Sequence, residues 1–208
     1  HGVESRFFQK PRSQRPISSY RSQEPFRLMY VSILMPYKHQ CEVASAVKVL
    51  HDKGFNIEVR FIGADWGWYG SKFLSLIKSL DPCRDFLLWS GFESFEKLHN
   101  SYKNCDTFIF GSSCENLPNI LLEAMASSLP IVSSNLGPMP EVLGKSAVYF
   151  NPESVPSIVN ALHKILQDEI LRKSLAMSSW EIAQQYSWEN CAKSTFDFIY
   201  NVANKKKQ

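Results

Sequence analysis

At 208 residues, 44% hydrophobic and 21% charged, the sequence has the composition of an ordinary globular protein, long enough to bury a full core. No apolar run approaches a bilayer span and no signal-peptide pattern opens the chain. The five cysteines (Cys41, Cys83, Cys105, Cys114, Cys191) lack paired spacing, which excludes a disulfide framework or zinc cluster and points to reduced thiols in the cytoplasm.

The net charge of +3 sits at the ends. Residues 1–27 hold six Lys/Arg against two acids and Lys205, Lys206 and Lys207 close the chain, leaving 14 basic and 18 acidic residues between them. A nucleic-acid binder places its positive charge on the folded face, so that class is excluded. The basic ends read as solvated tails, with weak peripheral attraction to an anionic membrane, about 1 kcal/mol per basic residue, as the other reading. The first residue is His1 rather than Met, so the sequence reads as a piece of a longer protein.

In chain order, residues 1–26 read as an interdomain linker, partly flexible. The stretch is polar, carries Pro11, Pro16 and Pro25, and has neither helix nor strand period. A folded domain follows over 27–203, then a basic tail at 204–208. The run Leu28 to Ile33 predicts a buried strand. Val43, Ala46, Val47 and Leu50 repeat at helical spacing up to the stop at Gly54. A strand over Ile57 to Ile62 ends at Gly63, and Phe73, Leu76, Ile77 and Leu80 mark a helix broken by Asp81-Pro82. Phe86 to Trp89 is a third strand; Ser94 caps a helix carrying Phe95, Leu98 and Tyr102; Thr107 to Phe110 is a fourth strand. A helix begins near Pro118, strands follow at Ile131 to Ser133 and Ala147 to Phe150, and three helices start near Val155, Asp168 and Trp188. Strands alternating with helices imply an α/β fold, a Rossmann-like doubly wound parallel sheet with helices on both faces. Ligands of such sheets bind beyond the carboxyl ends of the strands.

The richest segment in that position runs from Gly111 to Ala126. Pro118 suits a first helical turn, and the amides around it are free to face an anion with the helix dipole behind them. Glu115 precedes the helix. Glu123 lies in its second turn among Ile120, Leu121, Leu122, Ala124 and Met125, where a buried carboxylate needs donors. A ribose diol supplies two; a basic side chain or solvent would also satisfy it.

Two glutamates separated by seven residues and followed by Ala-Met-Ala, then Leu129-Pro130-Ile131-Val132, Gly137-Pro138-Met139-Pro140-Glu141 and Ala147 to Pro152, resemble the retaining family 4 glycosyltransferases of GT-B fold. Gly2-Val3-Glu4 with Phe8 is similar to that family's interdomain segment. The wording at 37–40 and 115–119 is similar to bacterial members that build cell-surface polysaccharides and lipopolysaccharide. The resemblance covers Arg27 to Tyr200 and implies the donor-binding half of a hexosyltransferase. Its donor is a UDP- or GDP-linked sugar; no cofactor or metal is implied; the acceptor, a glycan or lipid-linked hydroxyl, is held by a missing N-terminal domain, so this piece alone binds donor without turnover.

The same resemblance assigns roles. Glu123 holds the ribose hydroxyls and Glu115 the hydroxyls of the transferred sugar. The backbone of Asn116, Leu117, Pro118 and Asn119 lines sugar and diphosphate, with Ser32 beside them. Lys38 neutralises the departing diphosphate, and Phe92 is placed for the base. One departure stands out: the family's Gly-Arg after the first strand is Ser32-Ile33 here, and the glycine after the lysine is His39. Arg60, inside the second strand, is poorly placed to substitute.

Other residues admit blander readings. Trp66, Trp68 and Tyr69 offer a stacking face for a base or merely anchor a loop; His39 touches a phosphate or caps a helix. Cys114 lacks a paired histidine and reads as packing rather than a nucleophile, and Glu141 braces its helix. The stripe of Trp188, Phe196, Ile199 and Tyr200 reads as core, although the resemblance implies a terminal helix that leans toward the other domain. Two rivals keep the fold and change the function: a non-catalytic nucleotide-sugar-binding module, which the missing arginine favours, and a nucleotide-sugar epimerase. A dinucleotide site is disfavoured because no Gly-x-Gly-x-x-Gly follows the first strand.

Overall fold

A computed structural model describes residues 1–65 and 67–205. Trp66, and Lys206 and Lys207 of the basic tail, lie outside the described residues. Six strands, β1 Phe26–Val31, β2 Ile57–Ile62, β3 Leu87–Trp89, β4 Thr107–Phe110, β5 Ile131–Ser134 and β6 Ala147–Phe150, form one parallel sheet in the order β3-β2-β1-β4-β5-β6. The helices are α1 Gln40–Asp52, α2 Gly67–Leu80, α3 Phe95–Lys103, α4 Asn119–Ala126, α5 Met139–Leu143, α6 Val155–Gln167, α7 Glu169–Ala183 and α8 Trp188–Lys205. The doubly wound α/β expectation holds.

Helix α1 packs on α2 and α6, and α4 on α7, so apolar strands are covered by apolar helix faces. Every residue of β4 and β5 is buried, as central parallel strands require. Chain order reverses between β1 and its neighbour β4. In open parallel sheets a reversal of this kind marks the crevice, beyond the carboxyl ends of the two strands, where ligands bind.

Three local differences from the sequence reading bear on that crevice. Strand β1 ends at Val31 rather than Ile33, since an unbroken apolar run does not mark its own boundary; Ser32 and Ile33 therefore lie in the loop. Gly63, after β2, has φ 152°, and a Cβ there would stand 1.8 Å from the Ser32 carbonyl oxygen, so only glycine lets the two loops cross. Trp68 and Tyr69 belong to the first turn of α2 rather than to a loop, and Tyr69 is buried as a packing residue. At the start of α3, Ser94 occupies the N-cap position but its side chain makes no capping bond.

Residues 1–26, expected as a partly flexible linker, lie pinned along the domain up to the first strand. Val3, Phe7 and Tyr20 are buried; Val3 N–H donates to Tyr186 O (2.8 Å), Gln9 N–H to Ala126 O (3.0 Å), and Ser127 Oγ to Phe7 O (3.1 Å). Arg172, 0% exposed, clamps this segment to the end of α6, donating to Gln14 Oε1, Arg15 O, Ile165 O and Leu166 O. Scattered single apolar residues with no period hid this docking from a reading by periodicity. Conversely, the α8 stripe expected as core is open: Trp188, Phe196, Ile199 and Tyr200 are all exposed, because nothing among the described residues lies over most of that helix.

Candidate functional site

The loop after β1 makes a short 3-10 turn, Pro36–Lys38, before α1, and the loop after β4 runs from Gly111 to Pro118 before α4. The two are laced together. Ser113 N–H donates to Tyr37 O (2.8 Å), the Tyr30 hydroxyl donates to Lys38 O, and Gly111 N–H donates back to the Tyr30 oxygen (3.1 Å). Gly111 permits this approach, since a Cβ there would sit 3.2 Å from Lys38 O.

This lacing brings together two residues 77 apart in sequence. Lys38 Nζ forms an ion pair with Glu115 Oε1, and Lys38 is only 6% exposed. A buried pair so close is held by its mutual attraction and punished if either partner is removed. The Lys38 ammonium also lies 5.1 Å from the Tyr37 ring centroid and 5.5 Å from that of Phe110. An anion entering the crevice would meet this ammonium in competition with Glu115.

Beyond Glu115 the chain turns into α4. The N–H groups of Asn116, Leu117 and Asn119 have no protein acceptor among the described residues, and Pro118, the N-cap, is buried. These free donors stand at the positive end of the helix. Gly137, in the loop after β5, closes the other side: a Cβ on it would lie 3.9 Å from the Glu115 nitrogen.

Glu123 sits one turn into α4, 8% exposed. Among the described residues it pairs with no basic side chain, and most of its surface is covered. The Tyr102 hydroxyl of α3 donates to its Oε2 (3.1 Å), whereas Oε1 has no protein partner. Burial pushes its pKa up to about 7, against the downward pull of the Tyr102 hydrogen bond and of Arg6, while Glu4 adds to the rise. The carboxyl is therefore poised to gain or lose a proton near neutrality, with one oxygen free.

The other expected residues are distributed as follows. Ser32 is buried in the loop after β1 and its Oγ accepts from Gln40 Nε2 (2.8 Å), which also donates to Ile33 O (2.8 Å). Ile33, where the family resemblance expects arginine, is 43% exposed. Phe92 is 76% exposed in the loop after β3. Arg60 is level with Met29 in mid-strand, away from the crevice. His39 adopts φ 53°, the left-handed conformation natural to the glycine the resemblance expects there, and its Nε2 lies 2.9 Å from Ser113 Oγ. Cys114 is exposed. Glu141 lies within α5, a helix opened by Pro138.

Sequence reasoning missed Tyr102 as a site residue. In an apolar helical stripe it reads as core, and the signal that separates it is its hydroxyl, which a buried tyrosine must satisfy. Gln40 was missed too, since a glutamine opening a helix looks like any polar surface residue. Among the described residues no helix is long and apolar enough to cross a membrane, and no three His, Cys, Asp or Glu side chains are grouped as a metal site requires.

A family model described as "Glycosyl transferases group 1" matches residues 14–179. The O-antigen chain mannosyltransferase B of Escherichia coli is 31% identical over 112 residues, covering 54% of this chain and 29% of that protein. Among solved structures, Anabaena HepE in complex with UDP superposes with a TM-score of 0.77 at 17% identity, over 86% of this chain and 50% of that one. The C-terminal domain of the Francisella tularensis glycosyl transferase group 1 protein LpcC gives 0.75 at 19% identity, over 90% of this chain and all of that one. The chain thus covers less than a third of the curated relatives it matches first and half of HepE.

Proposed function

Because the chain belongs to the glycosyl transferases of group 1, we propose that it forms the donor-binding half of a retaining, family 4 hexosyltransferase that uses a UDP- or GDP-linked sugar. What supports this is the Lys38–Glu115 ion pair between the loops after β1 and β4, followed by the free N–H groups of Asn116, Leu117 and Asn119 and by Glu123 on the helix they open, at the switch point of the sheet. HepE, a structural neighbour, has been crystallised with UDP and glucose and with UDP-glucose.

In this reading the Glu123 Oε1 accepts from the ribose hydroxyls, and Glu115 accepts from hydroxyls of the sugar. The diphosphate lies on Lys38 and the N–H groups of Asn116, Leu117 and Asn119, with Pro118 lining the sugar through its ring and Ser32 lining the opposite wall. Phe92 offers its exposed face to the base. The acceptor hydroxyl oxygen bonds the anomeric carbon on the face from which the diphosphate departs; the diphosphate leaves with the bonding electron pair and takes up the hydroxyl's proton. Lys38 and the start of α4 supply the positive field that stabilises this charge. The acceptor, a glycan or lipid-linked hydroxyl, is held by a second half of the protein, so this chain alone binds donor without turning it over. The reaction is cytoplasmic in this account, and the basic ends of the chain give it weak peripheral affinity for an anionic membrane surface.

A second reading, a nucleotide-sugar-binding module without catalysis, is favoured by one observation: exposed Ile33 stands where the resemblance expects a second cation. Sugar transfer by the longer protein separates the two. The donor site itself is tested by calorimetric titration of the chain with UDP, GDP, ADP and their sugar conjugates, repeated on Glu123→Ala. One nucleotide should bind, more tightly with its sugar, and the variant should lose it. Binding of none, or equal binding by the variant, would sink the assignment.

A further inference from the structure

Tyr102 is fully buried in the last turn of α3, its ring packed against Phe7 (5.7 Å) and Phe108 (5.7 Å). Its oxygen stands 3.1 Å from Ile120 O and 3.1 Å from Glu123 Oε2. A phenol carries one proton, so at any moment it serves one of these acceptors fully. Burial, and next the Glu123 charge, hold the phenol well above its ordinary pKa, so it remains a donor at every physiological pH.

Resting on the reading of Glu123 as the ribose ligand, we propose that Tyr102 is a positioning residue of the donor site: its hydroxyl locks Glu123 through Oε2, presents Oε1 to the ribose diol, and commits its proton to the carboxylate as Glu123 ionises. Capture of a ribose is thereby coupled to loss of the Glu123 proton. The geometry explains why a buried acid keeps one oxygen bonded and the other free. A carboxylate held by one fixed donor has lost its rotational freedom before the ligand arrives, which is the condition for selective recognition of a diol.

The titratable and charged groups around Glu123 come from two elements. Tyr102 approaches from α3, where His99 packs its ring edge-on to Phe7. Arg6 and Glu4 approach from the N-terminal segment, paired with each other at 2.9 Å, so that the cation's pull on Glu123 is largely offset. Tyr102 is left as the one direct hydrogen-bond donor to the carboxylate among the described residues. Removing its hydroxyl withdraws support from the ionised form, so the Glu123 midpoint must move further up.

The test compares the wild-type chain, Tyr102→Phe and Glu123→Gln by calorimetric titration with UDP and GDP and with their 2′,3′-dideoxy counterparts between pH 6 and 8.5. An NMR titration of the Glu123 carboxyl is run in parallel on wild type and Tyr102→Phe without ligand. The wild type should prefer the ribonucleotide, increasingly so as pH rises through about 7. Tyr102→Phe should lose about tenfold in affinity for the ribonucleotide at pH 7.5, keep its affinity for the dideoxynucleotide, and show a higher Glu123 midpoint. Equal weakening toward both nucleotides would reduce Tyr102 to a packing residue, and an unchanged preference with an unchanged midpoint would likewise overturn the proposal. If Glu123→Gln itself keeps the full ribose preference, or neither ribonucleotide binds the wild type, the donor reading fails and takes this inference with it. If Glu123→Gln abolishes the preference and Tyr102→Phe does not, only the role of Tyr102 falls.

Discussion

Replacing Glu123 with Gln removes a buried charge while keeping the side chain's size and its ability to accept from Tyr102. Burial holds the folded-state pKa at about 7, against an ordinary value of 4.5 that the unfolded chain approximates. A difference of about 2.5 units at roughly 1.36 kcal/mol each gives about 3 kcal/mol between low and high pH. The sign follows from proton counting. Between pH 4.5 and 7 the folded chain binds more protons at this group than the unfolded chain, so stability falls as pH rises through that window, and the full penalty stands above it. Urea unfolding of wild type and Glu123→Gln at pH 4 and pH 8 isolates the effect, since all other titrating groups are shared. The variant should be more stable than wild type at pH 8 by about 3 kcal/mol more than at pH 4. A difference between the two proteins that does not change with pH would refute the claim that Glu123 is a strained, near-neutral acid.

Three further outcomes follow from the same geometry. Lys38→Met should lower stability by about 3 kcal/mol by stranding Glu115, and the double variant Lys38→Met/Glu115→Gln should recover most of that loss in urea unfolding while still failing to bind a nucleoside diphosphate. Gly63→Ala should lower stability by about 3 kcal/mol, or roughly 6–12 °C in calorimetric Tm, because the added methyl meets the Ser32 carbonyl. Arg172→Met removes the donors to Gln14, Arg15, Ile165 and Leu166; it should cost about 3 kcal/mol and speed amide hydrogen exchange along residues 10–20 before the sheet itself is affected.

Much of the fold was legible because its core is patterned at two clean periods. The spans of β2, β4 and β6 and the starts of α6 and α8 coincide with the sequence reading, since Ile57–Ile62 and its counterparts are short β-branched or aromatic runs bounded by Gly, Asp or Asn. Asp168 was read as the start of a helix and is the N-cap of α7, its side chain accepting from Leu171 N–H (2.8 Å). Boundaries failed where the signal was continuous, as at Val31, or absent, as in the docked N-terminal segment. The Glu115 and Glu123 spacing was visible as a motif, but its physical content was not. That Lys38 spends its charge on Glu115, and that Tyr102 holds one oxygen of Glu123, depend on contacts between residues 77 and 21 positions apart, which no local period encodes. The open face of α8 was misread for a related reason: an apolar stripe specifies that something covers it, not what does.

The crevice between β1 and β4 is proposed to bind a nucleotide-sugar through Lys38, Glu115 and Glu123. A crystal structure of the chain with the nucleotide-sugar that titrates tests it most directly. Ribose hydroxyls are expected at Glu123 Oε1, the diphosphate on Lys38 and the N–H groups of Asn116, Leu117 and Asn119, and sugar hydroxyls at Glu115. A nucleotide lodged elsewhere, for instance in the groove of Leu74, Ile77 and Trp89 at the open edge of β3, with Glu123 untouched, would contradict it.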